Sequence, residues 1–247
     1  MDTAFIIGNG ESRNIFPIEN LKGKGVIYGC NAIYRDHPML CDHIVAVNPP
    51  MYDELAAWHN NGKESPMIHG IDDISKWNYI CDGDHMNDVP TGLKIYRIWR
   101  GGDIKKGGKI KTNDFAMAKG SGCSAVLLAA ESGIENIVIM AFDIMGAQQW
   151  EMETPSRIQN NIYKNSINYP GRESMKAYLK YEWMYQLRQT IRRFPKTNFY
   201  FINRKEYLDG NPFLRWYFDQ PNIKCGIYAD LQRWITGYRD DIKWKTL

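Results

Sequence analysis

The feature that most constrains this chain is a repeated alternation. Short apolar runs rich in Ile, Val and Tyr recur along the first two hundred residues, with helical spacing between several of them. Strands are expected at Ala4–Ile7, Val26–Gly29, His43–Val47, Met67–His69, Lys94–Ile98, Ile137–Ala141 and Asn198–Ile202. A helix at Met51–His59 follows the Pro49-Pro50 break. Another at Ser121–Ser132 begins after Gly120 and stops at Gly133, a residue suited to a helix end. A long amphipathic stretch runs from Glu173 to about Phe194, with Tyr178, Tyr181, Met184, Tyr185 and Leu187 on its apolar side. Strands alternating with helices imply an α/β protein, with a mostly parallel sheet and helices on both of its faces.

Composition narrows the class. The 247 residues suit one large domain, or one domain with an appendage, and a 44% hydrophobic content excludes wholesale disorder. Lys plus Arg minus Asp plus Glu is 31 − 28 = +3, too small to indicate nucleic acid by itself. Five scattered cysteines without a C-x-x-C pair argue against a disulfide framework and a zinc ribbon. The start, Met1-Asp2-Thr3-Ala4, lacks a basic then apolar leader, so no signal peptide is expected. The longest apolar stretch, Cys123–Phe142, is interrupted by Glu131-Ser132-Gly133 and Glu135-Asn136, so no membrane span is expected. The expected setting is the cytoplasm.

In parallel sheets, ligands gather where strands end and helices begin. Four such ends carry distinctive residues. The first is Gly8-Asn9-Gly10-Glu11-Ser12, where two glycines let the backbone approach a ligand; a plain tight turn explains them equally well. Arg13 stands where a dinucleotide fingerprint would have its third glycine. The second end carries Cys30-Asn31 and the third Asn48-Pro49. An Asn amide both donates and accepts, so it can read a base, a ribose or a phosphate, and it can also cap a helix. The fourth is Gly120-Ser121-Gly122, whose small residues leave helix amides free for an anion or allow close helix–sheet packing. It leads into the strand that Asp143 ends.

In this order the motifs resemble the bacterial sialyltransferases of glycosyltransferase family 42, and the related motility-associated and pterin-pyrophosphokinase-like proteins. The resemblance spans roughly Phe5 to Asn203. It implies a Rossmann-like domain over 1–205, with a nucleotide-activated donor lying across the strand ends. By position, Gly8, Asn9, Gly10, Ser12, Asn31, Asn48, Pro49, Gly120, Ser121, Gly122 and Tyr169 would contact the nucleotide, with Asp143 beside the sugar and phosphates. Two departures stand out. Glu11 replaces the usual proline, and Tyr169-Pro170-Gly171-Arg172 puts an arginine where the family has its catalytic His. A guanidinium cannot accept a proton. Arg172 would instead clamp a diphosphate, which favours a diphosphate donor. The base would then be a carboxylate, with Asp143 first and Glu173, Glu151 and Glu153 as the other candidates.

Other segments add expectations. Residues 146–170, polar with Trp150 and Tyr163 embedded, suit a lid that shuts out water, or an ordinary surface connection. Asp82-Gly83-Asp84 can hold Mg²⁺ or Mn²⁺ against a diphosphate, or simply form a turn. Between Arg97 and Lys111 lie six basic residues and one acid in a Gly-rich flap. A solvated hairpin is the default reading, but the flap makes DNA a candidate acceptor, for instance at a hydroxymethylated base. Residues 206–247 read as an aromatic-rich helical extension that packs on the domain or joins an oligomer. The expected function is transfer of a sugar from a nucleotide donor to a hydroxyl. The alternatives are an Mg-dependent pyrophosphokinase-like enzyme and a non-catalytic nucleotide-binding module.

Overall fold

Side chains along the central strands alternate between two buried faces, as a sheet covered on both sides requires. The computed structural model describes residues 2–46, 50–51, 54–55, 94–96, 120–144, 161–169, 178–209, 212–238 and 241–245. Its strands are β1 (Thr3–Ile7), β2 (Val26–Cys30), β3 (His43–Val45), β4 (Lys94–Tyr96), β5 (Asn136–Met140), β6 (Asn198–Asn203) and β7 (Ile223–Ile227). They form one sheet in the order β4-β3-β2-β1-β5-β6-β7, and every pair is parallel. Parallel neighbours cannot be joined by hairpins, so the chain must cross over between strands.

Ala4, Ile6, Ile137, Ile139, Phe199 and Phe201 point to one core. There they meet α1 (Ser121–Glu131), α2 (Tyr178–Arg193), α3 (Lys205–Asp209) and α4 (Pro212–Tyr217). Phe5, Ile7, Val138, Met140 and Ile202 point the other way, to a second core. That face is closed by α5 (Tyr228–Ile235) and by short 3-10 turns at Glu11–Ile15, Ile18–Leu21 and Asn31–Arg35. The α1 helix ends as its sequence implies. Gly133 takes φ 76° and its amide reaches the Ala130 carbonyl at 3.1 Å, a geometry that costs glycine least.

The expected α/β architecture is therefore present. Six of the seven expected strands match within a few residues, while Met67–His69 lies outside the described residues, as does most of the Met51–His59 helix. Met51 and Leu55 of that segment are buried against the second core.

The C-terminal segment is helical at α3, α4 and α5, but it corrects the expectation of a helical extension by also supplying a seventh strand. In β7, Ile223 and Cys225 enter the first core, and residues Phe199 to Asn203 of β6 pair with residues Ile223 to Ile227. The sheet thus continues beyond residue 205. Only five residues long, with Lys224 and Gly226 inside it, β7 lacks the apolar run that marks the other strands. Beyond it the chain returns, and residue 245 pairs antiparallel with Cys225 through hydrogen bonds of 2.8 and 3.0 Å. Trp244 then packs on Tyr200 and Trp234, with ring centroids 4.8 and 5.3 Å away. Much of the aromatic excess near the C-terminus is spent inside the fold, although Tyr238 remains exposed. Among the described residues no helix is long and apolar enough to cross a membrane.

Candidate functional site

The strand order reverses direction at β1, with β2 to β4 on one side and β5 to β7 on the other. Such a reversal opens a crevice at the carboxyl ends of the strands, where open α/β sheets bind ligands. Here the part of the crevice between β1 and β5 is filled by protein. Past Ile7 the chain keeps pairing with the end of β5, through Gly8 N–H to Met140 O and Gly10 N–H to Ala141 O, both 2.9 Å. A Cβ at Gly8 would lie 2.3 Å from the Ala141 carbonyl oxygen, and one at Gly10 would lie 2.6 Å from the same oxygen and from Asp143 Cγ. These glycines serve close packing between strand ends. The same holds at α1, where a Cβ on Gly120 would meet Trp183 at 2.9 Å and one on Gly122 would meet Phe142 at 2.6 Å.

Asp143, the carboxylate ranked first as a base, is held from several sides. Its side chain is 0% exposed and accepts from Ser12 N–H at 2.7 Å, Ser12 Oγ at 2.6 Å and Asn203 Nδ2 at 3.0 Å. Arg204 stands 4.0 Å away. Ser12 has one hydroxyl proton and gives it to the carboxylate. Tyr228 must therefore donate to Ser12 Oγ, 2.9 Å away, while accepting the Ala141 amide at 3.2 Å. Burial raises the Tyr228 pKa, which keeps that donor protonated. In this arrangement Asp143 joins the first loop to the ends of β5 and β6.

Asn9 is similarly occupied. Its two amide protons go to Cys30 O at 3.0 Å and Tyr169 Oη at 3.2 Å. Its side-chain oxygen accepts from Arg13 at 3.4 Å. Arg13, 3% exposed, also reaches Asp36 and Tyr163 at 2.9 Å each. The expected third glycine is thus a buried arginine that ties the first loop to its neighbours.

Residues 161–169, the described part of the expected lid, are strapped down across this loop. Ile162 N–H donates to Asn9 O at 3.0 Å, Lys164 pairs with Glu11, and the rings of Tyr163 and Tyr169 are buried. Arg35 grips the strap through Ser166 Oγ at 2.7 Å and Ile167 O at 2.9 Å, and its guanidinium lies over both tyrosine rings. The same guanidinium holds Glu54 in a fork of 2.7 and 2.6 Å, while Tyr34 and Asn168 also donate to that carboxylate. Burial alone would raise the Glu54 pKa, but the bonds from Arg35, Tyr34 and Asn168 outweigh it and hold the group low.

Another part of the rim lies on the β2 side. Asn31, directly after β2, adopts φ 51°, a left-handed conformation that Asn tolerates better than most residues. Its side-chain oxygen accepts from Ser121 Oγ at 2.7 Å, and its Nδ2 has no hydrogen bond among the described residues. Ser121 begins α1, and helix geometry leaves the first-turn amides without intrahelical acceptors. Gly120 provides no side-chain cap. A half-exposed amide beside an uncapped helix start can hold an anionic or polar ligand group.

Of the expected site residues, Gly8, Asn9, Gly10, Ser12, Asn31, Gly120, Ser121, Gly122, Asp143 and Tyr169 all sit along this rim. Asn48, Pro49, Asp82, Asp84, Arg172 and Glu173 lie outside the described residues, as do residues 97–111 and 146–160. Among the described residues, no three His, Cys, Asp or Glu side chains group as metal ligands would. Sequence reasoning missed Arg13, Tyr228, Asn203 and Arg204; only Arg13, standing in a fingerprint position, left a signal. The four described cysteines are free and buried, and burial pushes the Cys30 thiol up to about 12. No family model matches the chain, and no curated protein or solved structure matches it either.

Three outcomes are expected. Gly8→Ala should cost about 1–3 kcal/mol, because the carbonyl facing the new methyl belongs to a paired strand end and can shift little. Asp143→Asn must place an amide against at least one of three fixed donors, so it should lose about 3 kcal/mol of stability without any ligand present. Denaturant unfolding measures both. The depressed Glu54 pKa gives stability that is complete above the ordinary carboxylate value of 4.5 and lost as pH falls through the lower folded value. Thermal melts between pH 7 and 3 should show that loss in the wild type and a smaller one in Glu54→Gln.

Proposed function

We propose that this protein binds a nucleotide-activated sugar along the carboxyl rim of its sheet and transfers the sugar to a hydroxyl acceptor. One observation carries the reading: Asn31 and the uncapped start of α1 stand together at the strand ends, where such sheets take nucleotides. The motif order shared with glycosyltransferase family 42 points the same way. The Asn31 amide and the first-turn amides favour the polar edge of the base or the ribose, and the phosphates would run on along the rim. On this reading Asp143 is a positioning group, because its acceptor capacity is spent on Ser12 and Asn203. Proton removal from the acceptor then falls to Glu173 or another carboxylate beyond the described residues, and Arg172 would neutralise the leaving diphosphate.

A second reading has its own support. With Asp143 engaged and no histidine in the family position, a nucleotide-binding module without turnover fits the described residues. A thermal-shift screen of UDP, CMP, GDP, ADP and their sugar conjugates, with and without Mn²⁺, tests the binding both readings need. At least one nucleotide should raise the melting midpoint, and Asn31→Ala with Ser121→Ala should abolish the rise. No stabilisation by any of them would overturn both readings. Release of free nucleotide from a stabilising conjugate in the presence of acceptor separates transferase from module.

A further inference from the structure

Arg204 follows β6 directly, on the same rim as Asn31 and Asp143. A guanidinium offers five N–H donors in a rigid fork, and a largely buried one normally spends several of them. This one spends none on the described residues. Its Nε is buried without an acceptor, its side chain is 28% exposed, and its only ionic contact among the described residues is Asp143 at 4.0 Å. The other cations near the rim differ. Arg13, Arg35 and Lys164 each hold a carboxylate at close range. Asp143 needs little from Arg204, since Ser12 and Asn203 already donate three hydrogen bonds to it.

Two forces therefore leave the guanidinium poised. Its charge is kept near the rim by a buried carboxylate, and its donors are unspent. The β6 end lies three strand spacings from the β2 end, or about 14 Å at roughly 4.8 Å per spacing. A ligand anchored at Asn31 and Ser121 would thus extend along the rim towards Arg204.

We infer that Arg204 binds an anionic group of the ligand, namely the terminal phosphate of a nucleoside diphosphate. The phosphate chemistry follows from the open fork, which matches two phosphate oxygens at once. The nucleoside part rests on the nucleotide reading above. The competing role is charge compensation of Asp143 alone, which any cation at this position could perform.

Inorganic pyrophosphate separates these roles, since it needs no base or ribose. Its affinity for the full chain is measured by calorimetry for the wild type, Arg204→Gln and Arg204→Lys. Arg204→Gln should weaken pyrophosphate at least tenfold. Arg204→Lys keeps the charge beside Asp143 and should retain the wild-type melting midpoint, yet lose at least threefold because a lysine cannot fork. Failure of the wild type to bind pyrophosphate, or wild-type affinity in either variant, overturns the inference. Should Arg204→Gln not fold, Arg204→Lys decides by the same criterion. A parallel series with UDP and UMP tests the nucleoside part. The diphosphate should bind more tightly than the monophosphate in the wild type only. If pyrophosphate binding depends on Arg204 while UDP, CMP, GDP and ADP bind no better than pyrophosphate, the nucleotide reading fails and the phosphate site stands.

Discussion

The carboxylate of Asp143 sits where four parts of the chain meet. It takes both donors of Ser12 from the first loop, and Asn203 from the end of β6, at the tip of its own strand β5. Through Ser12 it also fixes the hydroxyl of Tyr228, which opens α5. A buried charge of this kind is tolerable only when it is well hydrogen-bonded, and here three donors reach it from elements far apart in sequence. The consequence is a rigid carboxyl rim. The loop after β1 cannot swing away without stranding the carboxylate, so Asn9, Arg13 and the strap at 161–169 inherit their positions from it. The bonds to the carboxylate itself are 2.6 to 3.0 Å long, and the crevice between β1 and β5 is closed as a result.

That closure changes the meaning of the glycines. In a dinucleotide fingerprint, small residues leave space for a pyrophosphate. At Gly8 and Gly10 the space is occupied by the Ala141 carbonyl and by Asp143, and at Gly122 by the ring of Phe142. A glycine in sequence says only that something approaches closely. Whether that something is a ligand or another strand depends on which strands become neighbours, and neighbours are fixed by tertiary pairing. Among the described residues, unspent donors lie to either side: the Asn31 amide beyond β2 and the Arg204 fork beyond β6.

The strap at 161–169 shows the same division. Its polar sequence with an embedded tyrosine suits a lid, and its described part crosses the rim as a lid would. Yet Arg35 donates to its Ser166 and Ile167, its Asn168 donates to Glu54, and its two tyrosine rings are buried. Opening that part would break its hydrogen bonds to Arg35 and Glu54, separate Lys164 from Glu11 and expose both rings, which is a large penalty for a gate. The described part therefore behaves as a fixed wall of the site.

Much of the fold was legible because period and punctuation are local properties. Alternating apolar runs at Ala4–Ile7 and Ile137–Ala141, helical spacing after Gly120, and Gly133 as a stop all act through neighbours in sequence. The β7 strand escaped because Lys224 and Gly226 break its apolar run, and its strand state comes from pairing with β6. At the site, the sequence by itself determined which residues gather at the carboxyl rim, since strand ends in a parallel sheet share one edge. Only the tertiary structure decided which of them remain available to a ligand. Hydrogen-bonding capacity is finite, and it is spent on whichever partners the fold brings within about 3 Å. Asn9, Ser12 and Asp143 spend theirs inside the protein, whereas the Asn31 amide and the Arg204 fork do not spend theirs on the described residues.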